Sequence, residues 1–161
     1  MSKRSPGGSR KRLPIIGWRE WVTLPELGID AVKAKVDTGA RSSALHAFDV
    51  EVLEWEGLSI VRFKVHPLQR DSRRTVALKA ELFDERQVRN PGGRLELRPV
   101  IQTAVELMGQ RWPIELTLTN RDAMGFRMLL GRRAVRGKFA IDPGRSFLGG
   151  GAERADASSV I

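Results

Sequence analysis

The sequence predicts a mostly β domain, arranged as a compact barrel or sandwich, and three observations carry that prediction. Short runs rich in β-branched and aromatic residues recur along the chain. Apolar and polar residues alternate within them, as in VRFKV (61–65) and WPIELTL (112–118), which is the period of a strand with one buried face. The breaks are rich in Gly, Pro and Asn, and none of the gaps is long enough for a crossover helix.

In chain order, IIGWREWVTL (15–24) stops at Pro25, and AVKAKV (31–36) follows Gly28. ALHAFDVEVLEW (44–55) and SIVRFKV (59–65) are separated by Gly57, and Pro67 closes the second. TVALKAEL (75–82) precedes Asn90-Pro91-Gly92-Gly93, which reads as a hairpin turn. LELRPVIQTAVEL (95–107) and RWPIELTL (111–118) flank Gly109, and Asn120 to Gly125 leads into FRMLL (126–130). GRRAVRG (131–137) suggests the one short helical turn, before the last run, KFAI (138–141).

With 161 residues and 41% hydrophobic composition, the chain fits one domain with a sizeable core. Residues 1–12 read as a disordered basic leader, 13–148 as the folded body and 149–161 as a flexible tail. Lys3, Arg4, Arg10, Lys11 and Arg12 place more than half of the formal +9 in the leader, which suits weak nonspecific RNA contact or a solvated tail. No cysteine is present, which excludes disulfides and thiolate chemistry and suits a reducing compartment. LPIIGW is too short for a membrane span or a signal peptide, so a soluble, cytoplasmic protein is expected.

The chemistry-bearing stretch is VDTGARSS (36–43). Asp37 ends a strand-like run; Gly39 lets backbone approach a ligand closely, and the Thr38 hydroxyl can lock the loop. One aspartate is not yet a catalyst: peptide hydrolysis by carboxylates needs a pair sharing one proton. Asp-x-Gly after a strand is also an ordinary turn opening.

VDTGA resembles the active-site motif of retropepsin-like aspartic proteases, and FRMLLGRRAV (126–135) is similar to the second hallmark of that fold. With IDPGRSFL (141–148), KVDTGARSSALHA and LLGRRAV resemble a bacterial family named for ATP-dependent zinc proteases and also described as a retropepsin-like endopeptidase domain. Some members of that family are linked to an ATP-grasp ligase that adds glutamates to a ribosomal protein. The resemblance implies a retropepsin-like closed β-barrel with one short helix. It also implies an aspartic endopeptidase acting on a peptide or protein substrate, in which Asp37, Thr38 and Gly39 form the catalytic loop and Ala40, Leu130 and Gly131 support it. With one Asp-Thr-Gly per chain, that mechanism implies a homodimer. Arg41 stands where viral relatives carry an acid, so it would face Arg132 as a like charge.

IDPGRS repeats the opening pattern with one residue fewer, so Asp142 is the candidate second carboxylate, or Pro143 simply begins a turn. Arg41, Ser42, Ser43, Arg132 and Arg145 form a candidate anion-binding set for acidic substrates, or pair with acids of the body. Neither HExxH nor GxxxxGK[ST] occurs, so no zinc, ATP or other cofactor is expected from the residues; His46 is the one candidate metal ligand beside Asp37. The four tryptophans, Trp18, Trp21, Trp55 and Trp112, sit in strand-like runs, where packing explains them better than base stacking. The alternative to catalysis is a binding or regulatory partner of the glutamate ligase or the ribosome, suggested by Arg41 and the basic leader.

Overall fold

The structure is a computed structural model that describes residues 12–66, 74–89, 92–120 and 125–151. Its strands are β1 (Ile15–Leu24), β2 (Ile29–Asp37), β3 (Ser43–His46), β4 (Phe48–Trp55), β5 (Leu58–Val65), β6 (Val76–Glu81), β7 (Asp84–Arg89), β8 (Leu95–Leu107), β9 (Gln110–Thr119), β10 (Met128–Gly131) and β11 (Ala140–Ser146). A 3-10 turn spans Pro25–Leu27, and the helix α1 spans Arg132–Val135. The predicted leader falls outside the described residues except for Arg12, as does the predicted tail from residue 152 onward.

The alternation read from the sequence is the alternation of burial. Trp112, Ile114, Leu116 and Leu118 are buried along β9, as are Val61, Phe63 and Val65 along β5, while their neighbours face outward or lie half-buried. The large sheet runs β11-β1-β2-β10-β3-β9-β8-β7, and a further pairing of β8 with β1, Thr23 opposite Glu106, closes it. The six strands from β1 to β8 therefore form a closed barrel, with β11 and β7 attached outside. Ile16, Val22, Ile101, Val105, Leu116 and Leu130, all fully buried, belong to its core. A second sheet, β4-β5-β6, contributes Val61, Phe63 and Val65 to the same cluster. The mostly β, closed-barrel expectation with one short helix is borne out.

The structure refines three local readings. The run 44–55 divides at Ala47, whose N–H bonds to the Thr119 carbonyl (3.0 Å), so the chain leaves the barrel there and enters the small sheet. No strand is predicted over DERQVR, because Val88 is the one apolar residue of β7; it is an edge strand, and β8 supplies most of the apolar residues of the pair. β11 runs through IDPGRS rather than stopping before it, and its place at the edge of the sheet tolerates the missing N–H of Pro143.

Glu20 fastens the C-terminal segment. Its fully buried carboxylate accepts from the N–H groups of Gly17 (2.7 Å), Leu148 (2.9 Å) and Gly149 (2.9 Å). The charge is thereby satisfied by backbone dipoles.

Candidate functional site

Asp37 is the last residue of β2, where apolar strand gives way to turn. Its Oδ1 accepts from the Gly39 N–H (3.0 Å) and its carbonyl from the Ala40 N–H (3.2 Å), which is the local bonding that makes Asp-x-Gly a turn opener. Thr38 ties the loop through its carbonyl, which accepts from Arg132 Nη1 at 2.8 Å. Arg132 is thus held on the loop backbone. Its own N–H donates to the Ala40 carbonyl (2.7 Å), and the Arg133 N–H donates to that of Arg41 (3.1 Å).

The supporting role expected of Leu130 and Gly131 has a steric basis. β10 lies parallel to β2, with Leu130 beside Val36 and Gly131 beside Asp37. A Cβ on Gly131 would sit 2.5 Å from the carbonyl carbon and oxygen of Ser42, so only glycine admits the 42–43 backbone. The Gly131 N–H donates to the buried Ser43 Oγ at 2.9 Å. In that bond Ser43 Oγ is the acceptor, and the residue is 2% exposed. Ser43→Ala should leave the Gly131 donor unmatched and lower unfolding stability by about 1–2 kcal/mol in urea titration.

Beside this loop, a cleft of about 170 Å³ is lined by Ser42, Ser43, Gln102, Glu115 and Arg133, among others. At its margin, Arg86 donates to Glu115 (2.5 Å), to Asp84 (3.1 Å) and, at 3.5 Å, to Ser42 Oγ. The hydrogen bond to Glu115, foremost, raises the Arg86 guanidinium above its ordinary value, so it stays charged. Sequence reasoning missed Arg86, Gln102, Glu115 and Arg133. Arg86 lies on the unpredicted β7, and no spacing rule connects the others across three elements. Of the five predicted anion-binding residues, Arg41, Ser42, Ser43 and Arg132 converge at this junction, with both arginines exposed. Arg145 lies on β11, which is separated from β2 by β1.

The sequence echo is also a structural repeat. Asp142 Oδ1 accepts from the Gly144 N–H (2.9 Å), as Asp37 does from Gly39. β11 lies parallel to β1 with Asp142 beside Gly17, as Asp37 lies beside Gly131. A Cβ on Gly17 would fall 2.2 Å from the Arg145 carbonyl oxygen. A glycine inside the run IIGW was the available signal for this close approach. Because β1 separates β11 from β2, the backbones carrying Asp142 and Asp37 stand two strand spacings apart, roughly 10 Å.

His46 ends β3, half-buried, with its ring against those of His66 (5.8 Å) and Phe48 (6.3 Å). Among the described residues, no group of three or more His, Cys, Asp or Glu side chains is placed to hold a metal ion. Trp112 is buried and donates to the Ala134 carbonyl (3.0 Å), and Trp18 and Trp21 pack on Phe126 and Phe147. Trp55, by contrast, is 60% exposed at the β4–β5 turn.

Residues 15–150 match the family model for RimB-like proteins, described as the retropepsin-like aspartic endopeptidase RimB. The chain belongs to the RimB-like family. The crystal structure of Lpg0085, a protein of unknown function from Legionella pneumophila, superposes with a TM-score of 0.68 at 30% identity, covering 84% of this chain and 97% of that one. Curated relatives of this RimB-like chain are named probable alpha-L-glutamate ligases. The protein from Desulfotalea psychrophila is 49% identical over 80% of this chain and 28% of its own length. The protein from Shewanella halifaxensis is 44% identical over 83% of this chain and 29% of its own. The chain therefore spans under a third of the length of these relatives.

These relatives correct the expected function. An aspartic endopeptidase, and with it the hydrolase and ATP-dependent zinc protease readings, gives way because most of this RimB-like chain is homologous to a segment of glutamate ligases. In each turn the aspartate Oδ1, of Asp37 and of Asp142, accepts one backbone N–H. The cytoplasmic expectation reduces to a narrower statement: no helix among the described residues is long and apolar enough to cross a membrane.

Proposed function

We propose that this RimB-like chain is a non-catalytic binding partner of a glutamate ligase, holding a glutamate-rich polypeptide at the arginine rim beside the Asp37 loop. The observation that carries this reading is the 44–49% identity to segments of probable alpha-L-glutamate ligases, whose remaining length lies beyond the match. In this reading Arg41, Arg132 and Arg133 supply paired donors for carboxylates, and the fixed Asp37 turn sets the spacing of their backbones. Exposed arginines on a rigid barrel end meet a flexible acidic segment chiefly through charge complementarity.

The test uses the purified chain, an alpha-L-glutamate ligase and a synthetic oligoglutamate peptide. Titration calorimetry should detect the chain–ligase complex. Arg41→Glu with Arg133→Glu should weaken oligoglutamate binding by about tenfold or more, equivalent to ~1.4 kcal/mol. Absence of a complex with the ligase would reject the partnership; unchanged oligoglutamate affinity in the double variant would reject the arginine rim.

A further inference from the structure

The small sheet ends in a strand whose charges complement a copy of itself. β6 is an outer strand of that sheet, paired with β5 alone among the described residues, and lies outside the barrel that bears Asp37. One step beyond Glu81, which stands opposite Ile60, the Leu82 N–H donates to the Ser59 carbonyl (2.9 Å). In an antiparallel ladder, residues bonded in this way alternate with residues whose main-chain groups point to the other side. Val76, Leu78 and Ala80 therefore turn their main-chain groups toward β5. Those of Ala77, Lys79 and Glu81 point to the open side.

Neither charge on this open side faces an opposite charge across the sheet. Lys79 stands opposite Arg62 and Glu81 opposite Ile60. Arg62 is bonded to Glu51 (2.6 Å), and the Lys79 ammonium lies over the exposed Trp55 ring, 5.4 Å from its centroid. Both Lys79 and Glu81 are exposed.

A charged edge ordinarily resists an added strand. It accepts one whose charges fall in the complementary places, and β6 is itself such a strand. When two copies of β6 pair antiparallel about a two-fold axis at Ala80, Lys79 stands opposite the partner's Glu81 and Glu81 opposite the partner's Lys79. These are the residues with outward main-chain groups, so each pair also exchanges its backbone bonds. A register centred on Lys79 would set lysine against lysine, and one centred on Glu81 glutamate against glutamate, both unfavourable. The Ala80 register also brings Leu78 beside the partner's Leu82, and Phe83, 49% exposed in the single chain, beside the partner's Ala77. We propose that β6 is an interface for a second copy of this chain, joining two small sheets into one through reciprocal Lys79–Glu81 pairs. Unlike the homodimer implied by a shared aspartate pair, it needs no contact between Asp37 loops.

The experiment is sedimentation equilibrium on the full chain, with amide hydrogen exchange at low and high protein concentration. A monomer–dimer equilibrium with a Kd below about 1 mM is expected, with the Lys79 and Glu81 N–H groups exchanging more slowly at high concentration. Lys79→Glu and Glu81→Lys should each weaken the dimer at least tenfold. An equimolar mixture of these two variants should recover it, because every opposing pair is again a lysine with a glutamate. Both substitutions change exposed side chains, and circular dichroism verifies that the variants fold. The proposal is overturned by a chain that stays monomeric to about 1 mM, or by a dimer equally strong in both single variants, which would place the contact on another surface. It is equally overturned by a mixture that associates no better than either variant alone, or by exchange at Lys79 and Glu81 that ignores concentration.

Discussion

Gly17→Ala and Gly131→Ala are each expected to destabilise the barrel by about 3 kcal/mol or more, enough to unfold much of a marginally stable domain. A Cβ at Gly17 would overlap the Arg145 carbonyl, and one at Gly131 would overlap the Ser42 carbonyl. In both cases the obstruction is backbone held in a strand junction, not the tip of a side chain that can swing away. Gly39 is the contrasting case: its added Cβ would meet the Asp37 Oδ1 at 3.3 Å, a side-chain atom that can give. Urea denaturation of the three variants should rank Gly17→Ala and Gly131→Ala far below Gly39→Ala. Equal stability of all three would contradict the two close approaches.

Glu20→Ala should cost about 3–4 kcal/mol, because it orphans three buried or partly buried N–H donors at once, each worth roughly 1–3 kcal/mol when left unmatched. Glu20→Gln keeps the shape and one acceptor oxygen, and should recover part of the loss. The damage has a location, since Leu148 and Gly149 are tied to β1 through this carboxylate. Hydrogen exchange should therefore show the segment 147–151 losing protection in Glu20→Ala before the barrel strands do. Uniform loss across the chain would contradict the clasp.

The legible parts of the fold were those where one residue's burial follows from its own neighbours. Alternation in WPIELTL and VRFKV is local, so β9 and β5 could be read directly. β7 could not, because DERQVR carries no apolar period and owes its strand state to β8. Nor could the extension of β11 through Pro143 be read, since pairing with β1 overrides the local turn preference. At the site, VDTGA and LLG were legible through their resemblance to the retropepsin-like motifs, and the structure shows that close backbone approach demands the glycine at 131. The arrangement of Arg86, Glu115 and Arg133 was not, since it depends on which strands the barrel brings together. The echo at IDPGRS was visible as letters, but its partner Gly17 lies some 125 residues earlier and becomes apparent only through strand pairing.

In the proposed reading, the Asp37 loop is an architectural turn in a ligase-binding module. Asp37→Asn tests it most directly, because an asparagine Oδ1 can still accept from the Gly39 N–H and the loop should keep its shape. The measurement compares wild type and Asp37→Asn in two parallel assays: affinity for an alpha-L-glutamate ligase, and cleavage of an oligoglutamate peptide followed by mass spectrometry. Equal ligase affinity, with no cleavage by either protein, is the predicted result. Peptide cleavage by the wild type that disappears in Asp37→Asn would contradict it.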